Sequence, residues 1–378
     1  MKGNMRFCVP CLFGVEGLVA QELRDMGLEQ VQAENGRVLF SGGWEAMVRA
    51  NLCGRFGERV LLLLGEFPAR SFEELFQGVK ALPWEGLLGK EDAFPVTGSS
   101  LSSQLHSVPD CQAIIKKAIV ERLKAKYKLS WFAESGALHR VRFRILKDQV
   151  SVMVDTSGEG LHKRGYRALS NDAPMKETLA ASLCQLSRLR QDGHLIDPFC
   201  GSGTILIEGA LLARNIAPGL GRAFTAESWG SVPGQLWQQE RERARSLERR
   251  DTGFTAQGFD VDPAAVELTL ANAQKAGVED CITASVRDVR DFTQEGAYGC
   301  VVCNPPYGER LLDVRQAQEL YRALGQVFQP RRGWSLGVIS PDPEFEPLFG
   351  RRADKRRKLY NGMIQCQYYQ YFRGSDKR

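Results

Sequence analysis

The sequence predicts an α/β protein in which a doubly wound, parallel-sheet domain follows an α+β amino-terminal half. Three observations carry this. From residue 176 onward, short apolar strands alternate with helices, as in a parallel sheet covered on both faces. A glycine-rich loop, Asp197-Pro198-Phe199-Cys200-Gly201-Ser202-Gly203-Thr204, lies between the first of those strands and the next helix, where such sheets bind ligands. Before residue 157 the chain mixes strands and helices in the manner of small α+β units.

Residues 6–10 read as a strand and 14–26 as a helix with apolar spacing at Val15, Leu18, Val19 and Leu23. Residues 37–41 follow as a strand that Gly42 and Gly43 end. A helix over 44–52 and a strand over 59–64 complete a ferredoxin-like order over residues 1–65. The next unit, 66–156, opens on a helix capped by Ser71, with Glu74 three residues on completing a capping-box pattern. A strand over 94–97, a serine-rich stretch over 99–107 and a long helix over 109–127 come next. Strands over 140–146 and 149–155, joined by a Lys147-Asp148 turn, close the unit.

Residues 157–175 read as a linker rich in glycine and positive charge, and 176–378 as the doubly wound domain. Its helices are expected over 176–188, 204–214 and 263–276, and its strands over 194–197, 256–260, 282–285 and 300–303. The stretch 219–251, with Trp229, Trp237 and many arginines, reads as an insertion packed beside the ligand site, or as a surface helix with Glu–Arg pairs a turn apart.

With 378 residues, 43% hydrophobic and 25% charged, the chain has the composition of a globular protein with two or three domains. Runs of eighteen apolar residues are absent and the first residues lack a signal-peptide pattern. A cytoplasmic protein without a membrane partner is the expectation. Ten cysteines are scattered, many in apolar runs, as reduced buried thiols are. The Cys8/Cys11 and Cys300/Cys303 pairs are not joined by a second pair at zinc-ribbon spacing, so no metal is expected. A net charge of +5 permits nucleic acid without demanding it. Lys116, Lys117, Arg122, Lys124, Lys126 and Lys128 gather on one stretch, and nine Lys/Arg against two acids follow residue 350. Each cluster alone also reads as a solvated helix face or a basic loop.

The chemistry is carried by four segments in order. The glycine loop is neither a P-loop nor G-x-G-x-x-G, and alone it is also what a tight turn requires. Asp260, at the end of the next strand, suits the two hydroxyls of a ribose, while Asp262 suits a cap for the helix beginning at Pro263. Asp288, followed by Val289, stands after the third strand, where a carboxylate can accept from an adenine amine. Last, Asn304-Pro305-Pro306-Tyr307 follows the apolar strand 300–303. The prolines remove backbone donors and leave carbonyls free to accept. The Asn304 side-chain oxygen and a proline carbonyl can therefore grip an exocyclic amine while Tyr307 offers a ring to stack on. An aryl amine needs such bonds, because its lone pair is delocalised into the ring.

These elements, with Gly308-Glu309-Arg310 after the last, resemble those of class I S-adenosylmethionine (SAM)-dependent amino-methyltransferases, whose fold is Rossmann-like. The connector Leu161-His162-Lys163-Arg164-Gly165-Tyr166-Arg167 and the run Ala173 to Ala180 narrow the resemblance to THUMP-domain RNA methyltransferases, in particular the bacterial 23S ribosomal RNA guanine-N2 group. It implies a THUMP RNA-binding region at 66–156 and SAM as cofactor. It implies that Asp197, Pro198, Phe199, Gly201, Gly203 and Thr204 line the methionine and ribose end. Asp260 and Val261 would meet the ribose, and Asp288 and Val289 the adenine. Pro174, Lys176, Glu177 and Thr178 would border the cofactor, as would Asn304. Asn304, Pro305, Pro306 and Tyr307 would hold the target base. Met175 stands where family members often carry leucine.

Guanine-N2 methylation of RNA, most readily 23S ribosomal RNA, is the leading reading. Adenine-N6 methylation of RNA or DNA uses the same motif, as does glutamine-N5 methylation of protein, which the extra amino-terminal half disfavours. The residues are also compatible with a transfer-RNA guanine-N2 methyltransferase or a non-catalytic RNA-binding assembly factor.

Overall fold

The computed structural model describes residues 4–167, 175–296, 298–307, 314–328 and 332–372. The chain divides into two compact units. The first contains residues up to 11, 19–161 and 223–243, and the second contains 12–18, 162–222 and 244–378.

The amino-terminal elements are β1 (Met5–Pro10), α1 (Glu16–Asp25), β2 (Glu29–Glu34), β3 (Arg37–Gly42), α2 (Trp44–Cys53) and β4 (Leu61–Pro68). They continue with α3 (Phe72–Ala81), β5 (Val96–Leu101), α4 (Val108–Tyr127), β6 (Val141–Leu146) and β7 (Gln149–Asp155). Their strands form one seven-stranded sheet in the order β2-β3-β1-β4-β7-β6-β5. Antiparallel pairing of β4 with β7, from Leu61–Asp155 to Pro68–Gln149, joins the ferredoxin-like strands to those that follow.

Three of these amino-terminal elements differ from the sequence expectation, each for a local reason. Strand β2 is polar and largely exposed at a sheet edge, so it has no apolar alternation to reveal it. Strand β4 runs past Gly65 because a register shift between Leu63 and Gly65 absorbs the glycine. Strand β5 begins at Val96 and takes in Ser99 and Ser100, again at an edge. The Ser71 cap is present: its hydroxyl accepts from the Glu74 amide at 3.2 Å. The Glu74 carboxylate reaches back to the Arg70 amide, one residue before the cap, at 2.6 Å. Lys147 and Asp148 both take positive φ, 50° and 61°, the geometry of a two-residue type I′ hairpin.

The later elements are α5 (Glu177–Leu186), β8 (His194–Asp197), α6 (Thr204–Ala213), α7 (Gly234–Ser246), β9 (Thr255–Asp260) and α8 (Pro263–Ala276). Then come β10 (Ile282–Val286), β11 (Gly299–Cys303), α9 (Val314–Val327), β12 (Trp334–Ser340), α10 (Phe345–Phe349), β13 (Lys355–Asn361) and β14 (Ile364–Phe372). Strands β10-β9-β8-β11-β12 are parallel, and the sheet continues with β14 and β13, both pairings there antiparallel. Ile196, Val301, Val338 and Phe345 are fully buried in its core. Of the basic residues after 350, read as a loop or helix face, Lys355, Arg356, Arg357 and Lys358 sit instead on the edge strand β13. Lysines on an edge discourage pairing with another sheet.

Part of the stretch around the two tryptophans is the surface helix α7, with Glu240 and Arg243 paired a turn apart at 2.7 Å, while residues 223–243 belong to the first unit. Trp229 stacks on His139 with ring centroids 4.4 Å apart, and its indole N–H donates to the Leu138 carbonyl at 2.9 Å. Trp237 is buried against Phe224, and Glu240 pairs with Arg49 at 2.8 Å. A buried ring with a satisfied donor anchors a segment strongly. Trp229→Ala should lower the stability of the first unit by about 3–5 kcal/mol, read as a shift of its urea midpoint. A shift equivalent to less than about 1 kcal/mol would show that the ring does not anchor the segment.

Candidate active site

The carboxyl ends of β9, β8 and β11 lie side by side in the sheet; the first two end on Asp260 and Asp197, and Asn304 follows the third. The order reverses at β8, whose neighbours are β9 on one side and β11 on the other. That is the switch point where ligands bind in open α/β sheets.

The glycine loop leaves β8 at Asp197, whose Oδ1 accepts the Phe199 amide at 3.1 Å. It is then pinned to β9: the Cys200 amide donates to the Phe259 carbonyl at 2.8 Å, and the Gly201 amide to Asp260 Oδ2 at 3.0 Å. Gly201 and Gly203 take φ of +52° and +76°. At Gly201 a Cβ would meet nothing within 4 Å, whereas at Gly203 it would come within 2.8 Å of Thr269 Cγ2. The first glycine thus leaves open space, and the second permits close packing of the loop on α8. Helix α6 then starts without a side-chain cap, leaving amide donors for an anionic group such as a carboxylate.

Asp260 is committed on both oxygens to the loop and to the Asp262 amide, the latter at 3.0 Å, and each oxygen keeps a lone pair for a hydroxyl. Asp262 caps α8 through the Ala264 amide at 2.9 Å. Val261 is 66% exposed, an apolar surface at the ligand end of β9. Asp288 caps a short turn through the Arg290 amide at 2.8 Å and pairs with the Arg290 guanidinium at 2.7 Å. Val289 corrects the expectation: its side chain is buried in the domain core, so only its backbone is left to meet a ligand.

Burial pushes the Asp197 carboxyl up to about 8, against the Phe199 hydrogen bond that lowers it and with the nearby Asp260 charge raising it further. Two acids in a desolvated mouth favour a cationic ligand. Between pH 3.8 and about 8 the folded, ligand-free chain holds a proton there that the unfolded chain releases. Stability from this group therefore falls as pH rises through that window. A bound cation reverses the preference by favouring the ionised form.

The segment before β8 is held by a network that the sequence reading did not identify. Arg167 donates to the Met175 carbonyl at 3.0 Å and to Thr204 Oγ1 at 3.3 Å, and pairs with Glu177 at 3.2 Å. Arg164 pairs with Glu208 at 3.3 Å, both side chains almost fully buried, and the Tyr166 hydroxyl donates to Glu208 at 3.1 Å. The connector is thereby fixed to α6 directly behind the glycine loop. A lone glutamate in the otherwise apolar run of α6 was the available signal. Glu177 and Thr178 are buried, and the Glu177 carboxylate is held by Arg167. Lys176 precedes α5 at its N-cap; Pro174 lies outside the described residues, as do Gly308, Glu309 and Arg310.

Asn304 stands at the end of β11 with its Oδ1 buried and without a hydrogen-bond partner among the described residues. Other buried atoms, Thr252 Oγ1 among them, share this state, but Asn304 stands at the strand end where open α/β sheets bind ligands, so a ligand can complete it. Tyr307 is fixed by the Asn361 side-chain amide, which donates to its hydroxyl at 3.0 Å, and only 8% of its surface is exposed. Cys300 and Cys303 are buried, with burial pushing the Cys300 thiol up to about 11 and the Cys303 thiol well above its ordinary value. They are protonated packing groups. Among the described residues no group of three or more His, Cys, Asp or Glu could hold a metal ion, and no helix is long and apolar enough to cross a membrane.

An open sheet with this loop, paired acids and Asn-Pro-Pro-Tyr segment defines a class I methyltransferase site. A family model described as the RMKL-like methyltransferase domain matches residues 164–370; models of the RlmL ferredoxin-like domain and the THUMP domain match 6–61 and 69–155. YpsC of Bacillus subtilis, named as a candidate RNA methyltransferase, is 44% identical over 95% of this chain and 94% of its own length. The ribosomal RNA large subunit methyltransferase K/L of Psychromonas ingrahamii is 35% identical over 99% of this chain, which spans 51% of that protein. Among solved structures, a Listeria monocytogenes protein described as a predicted N6-adenine-specific DNA methylase has 44% identity and a TM-score of 0.93, covering 98% of this chain and 97% of its own. SMU.472, described as a candidate methyltransferase and solved with S-adenosylhomocysteine, has 42% identity and a TM-score of 0.93, both chains fully covered. The chain belongs to the THUMP-domain RNA methyltransferase family, with the RlmL-type ferredoxin-like domain and an RMKL-like SAM-dependent catalytic domain.

The residues present fit SAM. The acids suit its charged amine and ribose, the uncapped α6 its carboxylate, and Val261 a ring face. Calorimetry should show SAM affinity rising from pH 6 to about pH 8 and levelling off, because Asp197 must lose its proton to receive the cation. Asp197→Asn should bind more weakly and lose the pH dependence. Equal wild-type affinity at pH 6 and pH 8 would contradict the assignment.

Proposed function

We propose that this protein methylates the exocyclic N2 amine of a guanine in 23S ribosomal RNA. The observation that carries the reading is the buried, unpartnered Asn304 Oδ1, an acceptor at the carboxyl end of β11 with no donor among the described residues to satisfy it. Pro305 adds a carbonyl on a residue that lacks an N–H. Two acceptors on the amine protons draw electron density toward nitrogen and orient its lone pair. SAM, when bound, supplies an electrophilic methyl group. The residues around it exclude water and hold the amine in line, while the Tyr307 ring, anchored by Asn361, gives the base a surface to stack on. A base must leave its helix to reach such a pocket, so a loop or single strand of RNA suits it.

RNA as the substrate is supported by the THUMP match and by the names of the Bacillus and Psychromonas relatives. We place the reaction on ribosomal RNA because the second of these is named for it, and in the cytoplasm because the cysteines are free and mostly buried. Adenine-N6 is the second reading, favoured by the description of the Listeria relative.

Mass spectrometry of nucleosides from 23S ribosomal RNA of a deletion strain tests this. Loss of one N2-methylguanosine, restored by the gene, is the expected outcome. Loss of N6-methyladenosine instead would assign the other base, and an unchanged profile would refute ribosomal RNA as the substrate.

A further inference from the structure

Beside the Asn-Pro-Pro-Tyr segment lies a cavity of about 220 Å³ lined by Tyr307, Val314, Ala317, Tyr321, Asp342 and Ile364, among others. It opens at the carboxyl ends of β11 and β12, because Tyr307 follows the first and Asp342 the second. Pockets for drug-sized ligands run to roughly 300–1,000 Å³, so this space is on the scale of one planar base. Among the described residues its lining is apolar and aromatic except for one carboxylate, that of Asp342.

Asp342 is held with little freedom. Its amide donates to Ser340 Oγ at 3.1 Å, its carbonyl accepts from the Tyr369 hydroxyl at 3.4 Å, and its Oδ1 accepts the Glu344 amide at 2.8 Å. Oδ2 takes only a longer contact, 3.3 Å, from the Gln318 side-chain amide. A carboxylate offers about four lone-pair sites and no donor, so acceptor capacity remains on a group fixed in the wall of the cavity.

We propose that this cavity receives the target base and that Asp342 selects guanine by accepting its N1–H. The inference rests on the guanine reading above and supplies the chemical basis it lacked. Guanine carries a donor at N1 beside its N2 amine, whereas adenine carries a lone pair at N1 beside its N6 amine. A fixed carboxylate hydrogen-bonds the first and repels the second, so one residue attracts the correct base and rejects the wrong one. Asn304 handles either amine, and Asp342 supplies the discrimination that the motif itself does not. Asp342 is thus a specificity-determining residue for the transfer, distinct from those that hold the amine.

The test compares two synthetic RNAs covering the methylated site mapped in 23S ribosomal RNA. One carries guanine there, and the other carries 2,6-diaminopurine, which keeps the 2-amine but has a lone pair at N1. Wild-type full-length protein should prefer guanine in kcat/KM on the order of 10- to 100-fold, as loss of a charge-assisted hydrogen bond implies. Asp342→Asn keeps an acceptor for the Glu344 amide, and its amide can donate to the diaminopurine N1; it should bring the ratio near unity. A variant that merely loosens the fold would lower both rates and leave the ratio unchanged. An undiminished ratio in Asp342→Asn, or equal wild-type use of both RNAs, would overturn the proposal while leaving guanine-N2 methylation intact. Absence of N2-methylguanosine from the mapped product would overturn the parent reading as well.

Discussion

The hydrogen bond from the Gly201 amide to the Asp260 carboxylate, 3.0 Å long, is the constraint on which the catalytic domain turns. It joins the loop leaving β8 to the end of β9. It thereby fixes the start of α6 and the orientation of the acid that faces the ribose position. Gly203 can approach α8 only because it lacks a Cβ, and Arg167 holds Thr204 from behind. The loop is therefore a clamped surface, which is what a site needs if binding energy is to go into orientation instead of ordering.

On this clamped frame, two costly polar groups sit where a ligand would bind. Asp197 is buried without a cation, so it keeps its proton far above the usual range. Asn304 Oδ1 is buried without a donor among the described residues, a deficit of about 1–3 kcal/mol. The Arg164–Glu208 pair a short way along the chain is almost fully buried and yet matched. Other buried atoms, such as Arg214 Nε and Thr252 Oγ1, also lack a partner among the described residues; Asp197 and Asn304 are set apart by their place at the carboxyl ends of β8 and β11, where such sheets bind ligands.

Much of this was legible in the sequence because the signals are local. Asp262 before Pro263, the glycine loop after an apolar strand, and Ser71 with Glu74 each declare a cap or turn within a few residues. Val301 and Val302 mark a fully buried strand by composition alone. The rest depends on partners remote in sequence. Glu208 meets Arg164 across 44 positions, and Asn361 meets Tyr307 across 54; no periodicity announces either. Strand β2 is polar because it lies at an edge, and the two tryptophans of the 223–243 segment carry no mark of the unit they join. The four chemical segments were correctly ordered in sequence, yet Val289 proved to be core, since a position next to a ligand-facing acid gives no direction to its side chain.

The central claim is that Asn304 presents an acceptor to the target amine and contributes little to holding the cofactor. Asn304→Ala in the full-length protein tests it directly, by calorimetry with SAM and by single-turnover methyl transfer to unmodified 23S ribosomal RNA. The account predicts SAM affinity within about threefold of wild type and transfer reduced by at least about a hundredfold, as for loss of a preorganised catalytic hydrogen bond. Transfer at the wild-type rate would contradict it.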